Sequence, residues 1–219
     1  MIRKITLRNL LPEVFAGAEY QPPVSTSGVW LRTLEITRGQ RLLVAAESGT
    51  GKSSLCSFIY GARADFRGTI LFDDTDIRSL STAQWCAVRT RSLAWLPQEM
   101  RLFHELTVME NLLIKNRLTD RYSQAELLAM LARLEIDHKA AEPAGRLSVG
   151  QQQRVALVRA LAQPFDFIIL DEPVSHLDAR NNAACAALVQ EVADAQGAGI
   201  IATSVGNHLA LAKSTTIPL

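Results

Sequence analysis

Apolar and polar residues alternate in "ITLRNL", residues 5–10, a pattern that predicts a strand with one face turned inward. Gly39 and Gln40 then turn the chain into "RLLVAAE", residues 41–47, an apolar run that breaks off into small and polar residues. The period changes in "GKSSLCSFIYG", residues 51–61, where Leu55, Phe58 and Ile59 recur at helical spacing before Gly61. "GTILFDD", residues 68–74, predicts another strand. Ser81 with Gln84 forms a capping-box pattern for a helix starting near "TAQW". "RSLAWLPQ", residues 91–98, reads as a strand that stops at Pro97.

From about residue 107 to 162 the texture is helical. "SQAELLAMLARLEI" opens on a Ser123 to Glu126 capping pattern and sets Leu127, Leu128, Leu131 and Leu134 on one face. After Gln163 and Pro164 the strand pattern returns in "FDFIIL", followed by a helical "NNAACAALVQEVADA" and a short apolar strand in "GAGIIATS". Continuous apolar runs separated by helices imply a parallel sheet covered on both faces, hence the α/β class. We expect one domain over residues 1–219, with an α/β core in 1–98 and 164–219 and an inserted helical sub-domain in 99–163.

With 48% hydrophobic and 21% charged residues in 219, the chain can bury a real core, and disorder is excluded. The formal charge is +1 with both signs mixed along the chain, so there is no electrostatic footprint for nucleic acid or an anionic membrane surface. Cys56, Cys86 and Cys185 are odd in number and widely spaced, which suggests reduced thiols and neither a disulfide framework nor a zinc site. The start, "MIRKITLRNLLPEVF", scatters charges through its apolar residues, and no uninterrupted apolar run reaches 18. A cytosolic protein with only indirect membrane contact is the expectation.

The chemistry concentrates where strand meets helix. In "AAESGTGKSSL", residues 45–55, a Gly-rich turn between a strand and a helix offers backbone N–H groups and a helix N-terminus to polyphosphate. Glu47, Ser48, Gly49, Thr50, Gly51, Lys52, Ser53 and Ser54 would line such a phosphate loop, with Lys52 reaching the outer phosphates and Ser53 binding Mg²⁺. Ala46 stands where the loop motif begins with glycine. Were a left-handed backbone required there, an alanine would cost about 1–2 kcal/mol.

"FIILDEP", residues 167–173, is an apolar strand that delivers two adjacent carboxylates. Asp171 would hold Mg²⁺ at the strand end and Glu172 would polarise an attacking water. In "RLSVGQQQRVALVRAL", residues 146–161, Ser148 and Gln151 form a capping box on a helix whose remaining N–H groups make an anion site.

Together these residues resemble the ATP-binding-cassette ATPases. Leu147-Ser148-Val149-Gly150-Gln151 is similar to the family's LSGGQ signature, with Val149 replacing one glycine. Gln98 in "LPQE" falls at the family's Q-loop, and "SHLD", residues 175–178, at its D-loop. The resemblance implies a P-loop NTPase fold: a RecA-like, mostly parallel core, an N-terminal antiparallel β region and an inserted helical sub-domain. It also implies a dimer with a second copy or a closely related cassette, stacked head to tail, in which Ser148, Gly150 and Gln151 of one cassette meet the ATP held by the other's loop. Gln98 would link metal to an integral membrane permease, seated around "EMRLFHELTVMEN", and the protein would lie on the cytoplasmic face. The implied function is an ATP-hydrolysing transporter subunit, nearest the lipoprotein-release and macrolide-export ATPases.

Two departures qualify the resemblance. The strand "IIATSVGNHL" ends in Thr203-Ser204 where the family usually has Thr-His, so Ser204 would have to serve beside the γ-phosphate, with His208 four residues on able to fold back. That substitution leaves two alternatives in view: a nucleotide-gated module with weak hydrolysis, and a cytosolic member with no transport role. For the aromatic that stacks on adenine, Phe15 fits by order and Tyr20 is the runner-up, while "AGAEYQPPVSTSGVW", residues 16–30, which follows Phe15 and contains Tyr20, is longer and more polar than the family pattern.

Overall fold

The computed structural model describes residues 1–219. Two sheets form. An antiparallel one joins β1 (Lys4–Pro12), β2 (Thr33–Thr37), β4 (Phe66–Phe72) and β5 (Thr75–Asp76) in the order β2-β1-β4-β5. A parallel one joins β3 (Arg41–Ala45), β6 (Leu93–Leu96), β7 (Phe167–Asp171), β8 (Gly199–Ser204) and β9 (Thr215–Pro218) in the order β6-β7-β8-β3-β9. The helices are α1 (Lys52–Ile59), α2 (Thr82–Arg91), α3 (Val108–Asn116), α4 (Gln124–Arg133), α5 (Val149–Leu161) and α6 (Ala179–Gln196).

Strand alternation explains why the inner strand β7 of the parallel sheet is apolar on both faces. In β7, Ile168 and Leu170 enter one core with α3 to α6, while Phe167 and Ile169 enter a second core with α1 and the antiparallel sheet. Each strand face is therefore buried, as continuous apolar runs require. The three capping boxes that begin α2, α4 and α5 are formed, at Ser81/Gln84, Ser123/Glu126 and Ser148/Gln151. A fourth, Thr107/Glu110, begins α3.

One face is corrected. Leu127, Leu131 and Leu134 are buried, but Leu128 is 41% exposed, and Met130 takes the inward place. At 100° per residue Leu128 is already a quarter turn from Leu127, so four leucines exceed the stripe a small helix can bury. The edge strand β9 and the short β2 and β5 also escaped the pattern. Cys56 and Cys185 are buried and Cys86 is exposed. No helix is long and apolar enough to cross a membrane.

Candidate phosphate-binding site

The loop leaves β3 at Ala45, which pairs with Ser204 at the carboxyl edge of the parallel sheet. Ala46 N donates to Ser204 O at 3.2 Å. Ala46 is absent from the residues with positive φ, so the left-handed alanine considered above does not arise, and neither does its cost. The loop makes its reversals at Gly49 (φ 83°) and Gly51 (φ 99°). Gly51 is also the only residue that fits: a Cβ there would lie 2.9 Å from Trp30 Cζ2 and 3.3 Å from Phe15 Cε2.

Trp30 had given no signal of its role beyond being a tryptophan at the end of a Pro- and Ser-rich segment. It is fully buried, and its indole N–H donates to Thr50 O at 3.1 Å, pinning the loop from behind. Ser27 Oγ in turn accepts from the N–H groups of Val29 and Trp30 at 2.9 and 2.8 Å. The long polar segment is thus a brace for the loop.

At the loop's mouth the Glu47 carbonyl accepts from Thr50 Oγ1 at 2.9 Å and from Lys52 Nζ at 2.8 Å. Lys52 Nζ also lies 3.5 Å from Glu172 Oε1. Gly51 begins α1 with no side-chain cap, and the backbone N–H groups of residues 51–54 find no acceptor in the chain. An uncapped helix start beside a lysine is a place for an anion.

Phe15, Ser48, Gly49, Gly51, Lys52, Ser53, Ser54, Gln98 and Glu172 share one cavity of about 310 Å³. Ser53 Oγ donates to Gln98 Oε1 at 3.3 Å across it. A larger neighbouring cavity, about 600 Å³, is lined by Glu47, Ser48, Gly49 and Thr50 with Pro22, Pro23 and Pro218. Phe15 is half-buried beside the loop, whereas Tyr20 is 96% exposed and lines neither cavity.

Asp171 is buried behind the cavity and accepts from Thr203 Oγ1 at 2.7 Å. Burial, and then the negative charge of Asp171, push the nearby Cys56 thiol well above its ordinary range, so that cysteine is no nucleophile. Ser204, also buried, shares a hydrogen bond with His208 Nδ1 at 2.5 Å. His208 therefore does fold back, although its ring stays exposed. Asn207 fixes that turn by donating to the carbonyls of Val174 and Leu177 at 2.8 and 3.1 Å.

Ser148, Gly150 and Gln151 line neither cavity and begin α5, where Ser148 N donates to Gln151 Oε1 at 2.9 Å and Gln151 N to Ser148 Oγ at 3.3 Å. Gly150 leaves no slack toward the "SHLD" turn, since a Cβ would lie 3.1 Å from His176 O. Asp178 caps α6 by accepting from Asn181 N at 2.8 Å, a bond that holds its carboxyl below the usual range. Sequence reasoning missed Trp30, Gln153, Thr203 and Asn207, whose site-supporting contacts lie 19 or more residues away in sequence.

A strand, Gly-rich loop and helix at the carboxyl edge of a parallel sheet, with a strand-end carboxylate pair beside it, define a P-loop NTPase cassette. The sequence pattern of the ABC transporter family matches residues 32–175. The chain belongs to that family.

Among similar proteins, an uncharacterized ABC transporter ATP-binding protein of Mycobacterium tuberculosis, Rv0073, is 30% identical over 211 residues. That alignment takes in 95% of this chain, and the chain spans only 62% of the mycobacterial protein's length. The lipoprotein-releasing system ATP-binding protein LolD of Shewanella denitrificans is 28% identical over 180 residues, covering 81% of this chain and 77% of its own. The solved dimeric structure of MJ0796, a bacterial ABC transporter cassette, superposes with a TM-score of 0.74 over 91% of this chain and 87% of that one, at 22% identity. It bears on the fold.

Proposed function

We propose that this chain is the ATP-binding and hydrolysing subunit of an ABC transporter, a homodimer that closes head to tail on ATP and drives separate integral membrane permease subunits from the cytoplasmic face. The observation that carries the reading is the single cavity in which the loop residues Lys52 and Ser53 meet Gln98 and Glu172. The names of Rv0073 and LolD support it.

The residues fit ATP and magnesium. Lys52 has three N–H donors and spends one in the chain, on the Glu47 carbonyl, with Glu172 3.5 Å away as an ion-pair partner, leaving capacity for phosphate. Ser53, Gln98 and Asp171 offer the hard oxygen donors that magnesium prefers. Magnesium, when bound, neutralises phosphate charge and orients the terminal phosphoryl group. The open N–H groups of 51–54 bind phosphate oxygens, Phe15 offers a ring for adenine, and Glu172 accepts the proton of the attacking water. Ser204, buried and hydrogen-bonded to the exposed His208, would stand in for the missing histidine. From the partner copy, Ser148, Gly150 and Gln151 complete the site.

Residues 99–163 move as a helical lever on the core formed by 1–98 and 164–219. A permease segment seats in the cavity of about 220 Å³ lined by Trp95, Leu96, Phe103, Ile114, Lys115 and Arg159, whose Leu96 lies two residues before Gln98 in the chain.

The test is Mg-ATP hydrolysis by the purified protein at rising protein concentration, with light scattering to follow dimers. Turnover should rise faster than linearly, and Glu172→Gln should lower it by on the order of 10²–10⁴ while accumulating an ATP-bound dimer. Equal turnover by Glu172→Gln and the parent would overturn the assignment.

A further inference from the structure

Glu172 is held by its backbone as much as by its neighbours. Its φ is 50°, a left-handed conformation that a glutamate keeps only where the surroundings fix it. Both of its backbone polar groups are taken by remote elements. The Glu172 N–H donates to Thr203 Oγ1 at 3.3 Å, and the Glu172 carbonyl accepts from Gln153 Nε2 at 3.0 Å and, at a longer 3.4 Å, from Ser175 N.

Gln153 is 3% exposed, and its amide is nearly saturated. Nε2 donates to Ser175 Oγ at 3.1 Å as well as to Glu172, while Oε1 accepts from His176 N at 3.1 Å. A buried amide with both N–H donors and its oxygen engaged fixes one arrangement of the groups it touches, because each lost bond would strand a polar atom away from water. Gln153 lies on α5, two residues after Gln151 of the capping box, so the start of that helix and the backbone of Glu172 share a rigid joint. Neither Gly nor Asn occupies position 172 to relieve the conformation, which makes the joint the thing that maintains it.

We propose that Gln153 is a positioning residue: its amide keeps Glu172 left-handed and thereby ties the aim of that carboxylate to the first turns of α5. The inference rests on the reading of Glu172 as the proton acceptor. It adds that a displacement of α5 is delivered to Glu172 through one side chain. Leucine at 153 would leave the Glu172 carbonyl with the 3.4 Å bond alone and His176 N–H with no acceptor. Glutamate there keeps the shape and the acceptor but, ionised, cannot donate to the Glu172 carbonyl.

The experiment compares Gln153→Leu and the isosteric Gln153→Glu with the parent protein. It measures kcat for Mg-ATP, the Kd for ATP without magnesium, and the ¹³Cα shift of Glu172, which reports its φ. Both variants should lose at least tenfold in kcat, keep Kd within threefold, and shift the Glu172 resonance toward extended values. Should Gln153→Leu fail to fold, Gln153→Glu carries the test alone. A kcat within twofold of the parent, an unmoved Glu172 resonance, or a fall in kcat accompanied by a rise in Kd beyond threefold would each overturn the positioning role. A parent protein that does not hydrolyse ATP, with the Glu172 resonance still moved by the substitutions, would sink the functional reading and leave the joint standing. Normal parent turnover untouched by either variant would do the reverse.

Discussion

Two helix starts would carry the proposed chemistry of this chain, and they are built in opposite ways. The N-terminus of α1 is open: Gly51 supplies no cap, and the N–H groups of 51–54 have no acceptor in the protein. The N-terminus of α5 is half closed, because Ser148 and Gln151 satisfy each other's backbone N–H and leave only those of Val149 and Gly150 unpaired. An open start held beside a lysine can take a whole polyphosphate from its own loop. A half-closed one can offer only a small number of donors, which suits it to completing a site that another copy has already filled. The difference also says what holds each start in shape: α5 holds itself, whereas the α1 loop depends on Trp30 from outside.

The largest effect should come from closing the open start. Gly51→Ala places a Cβ 2.9 Å from Trp30 and forces a non-glycine residue to φ 99°. The conformational term alone is about 1–2 kcal/mol, and moving Trp30 takes the loop's brace with it. We expect ATP affinity to fall at least about tenfold, or roughly 1.4 kcal/mol, and Tm to drop by about 4 °C or more, checked by nucleotide titration and thermal melting. Normal affinity would mean that the loop does not depend on its brace.

The comparison also marks what was legible in the sequence. Much that is local was readable: the strand, turn and helix around Lys52, the boxes at Ser81, Ser123 and Ser148, and the strand that runs into Asp171 and Glu172, although the equally local Thr107/Glu110 box was missed. These rest on spacings of one to four residues, which periodicity and capping chemistry record directly. The support of the site was not readable. Trp30 reaches Thr50 across 20 residues, Gln153 reaches Glu172 across 19, and Thr203 reaches Glu172 across 31. A glutamine in a helix or a threonine in a strand looks the same whether it braces a carboxylate or faces water. Leu128 failed for the same reason: nothing nearby in sequence says where the core ends.

An intermediate effect should separate the two uses of the α5 start. Ser148→Ala removes the box, and loss of such a cap costs about 1 kcal/mol, so Tm should fall by about 2–4 °C. ATP binding by the isolated site should hold, while cooperative turnover falls. Ser148→Asp sharpens the contrast, because aspartate caps as well as serine but repels phosphate. It should recover the Tm without recovering turnover. Full recovery of both would reduce Ser148 to a helix cap.

The smallest effect should come at Ala46, where a glycine would complete the loop motif. Had Ala46 been left-handed, Ala46→Gly would relieve strain and raise stability. In this chain Ala46 is not among the positive-φ residues; its N–H is spent on Ser204 O, and its methyl packs against the core beneath the antiparallel sheet. Glycine then gains nothing in the folded state and loosens the unfolded chain, which costs about 0.5–1 kcal/mol. We therefore expect Tm to fall by roughly 1–4 °C, with ATP affinity and kcat within about twofold of the parent. A rise in Tm would show that the alanine is strained after all and that the loop enters from β3 in a conformation other than the one described. A fall shows that the first glycine of the motif is dispensable wherever the reversal is made later, as Gly49 and Gly51 make it here.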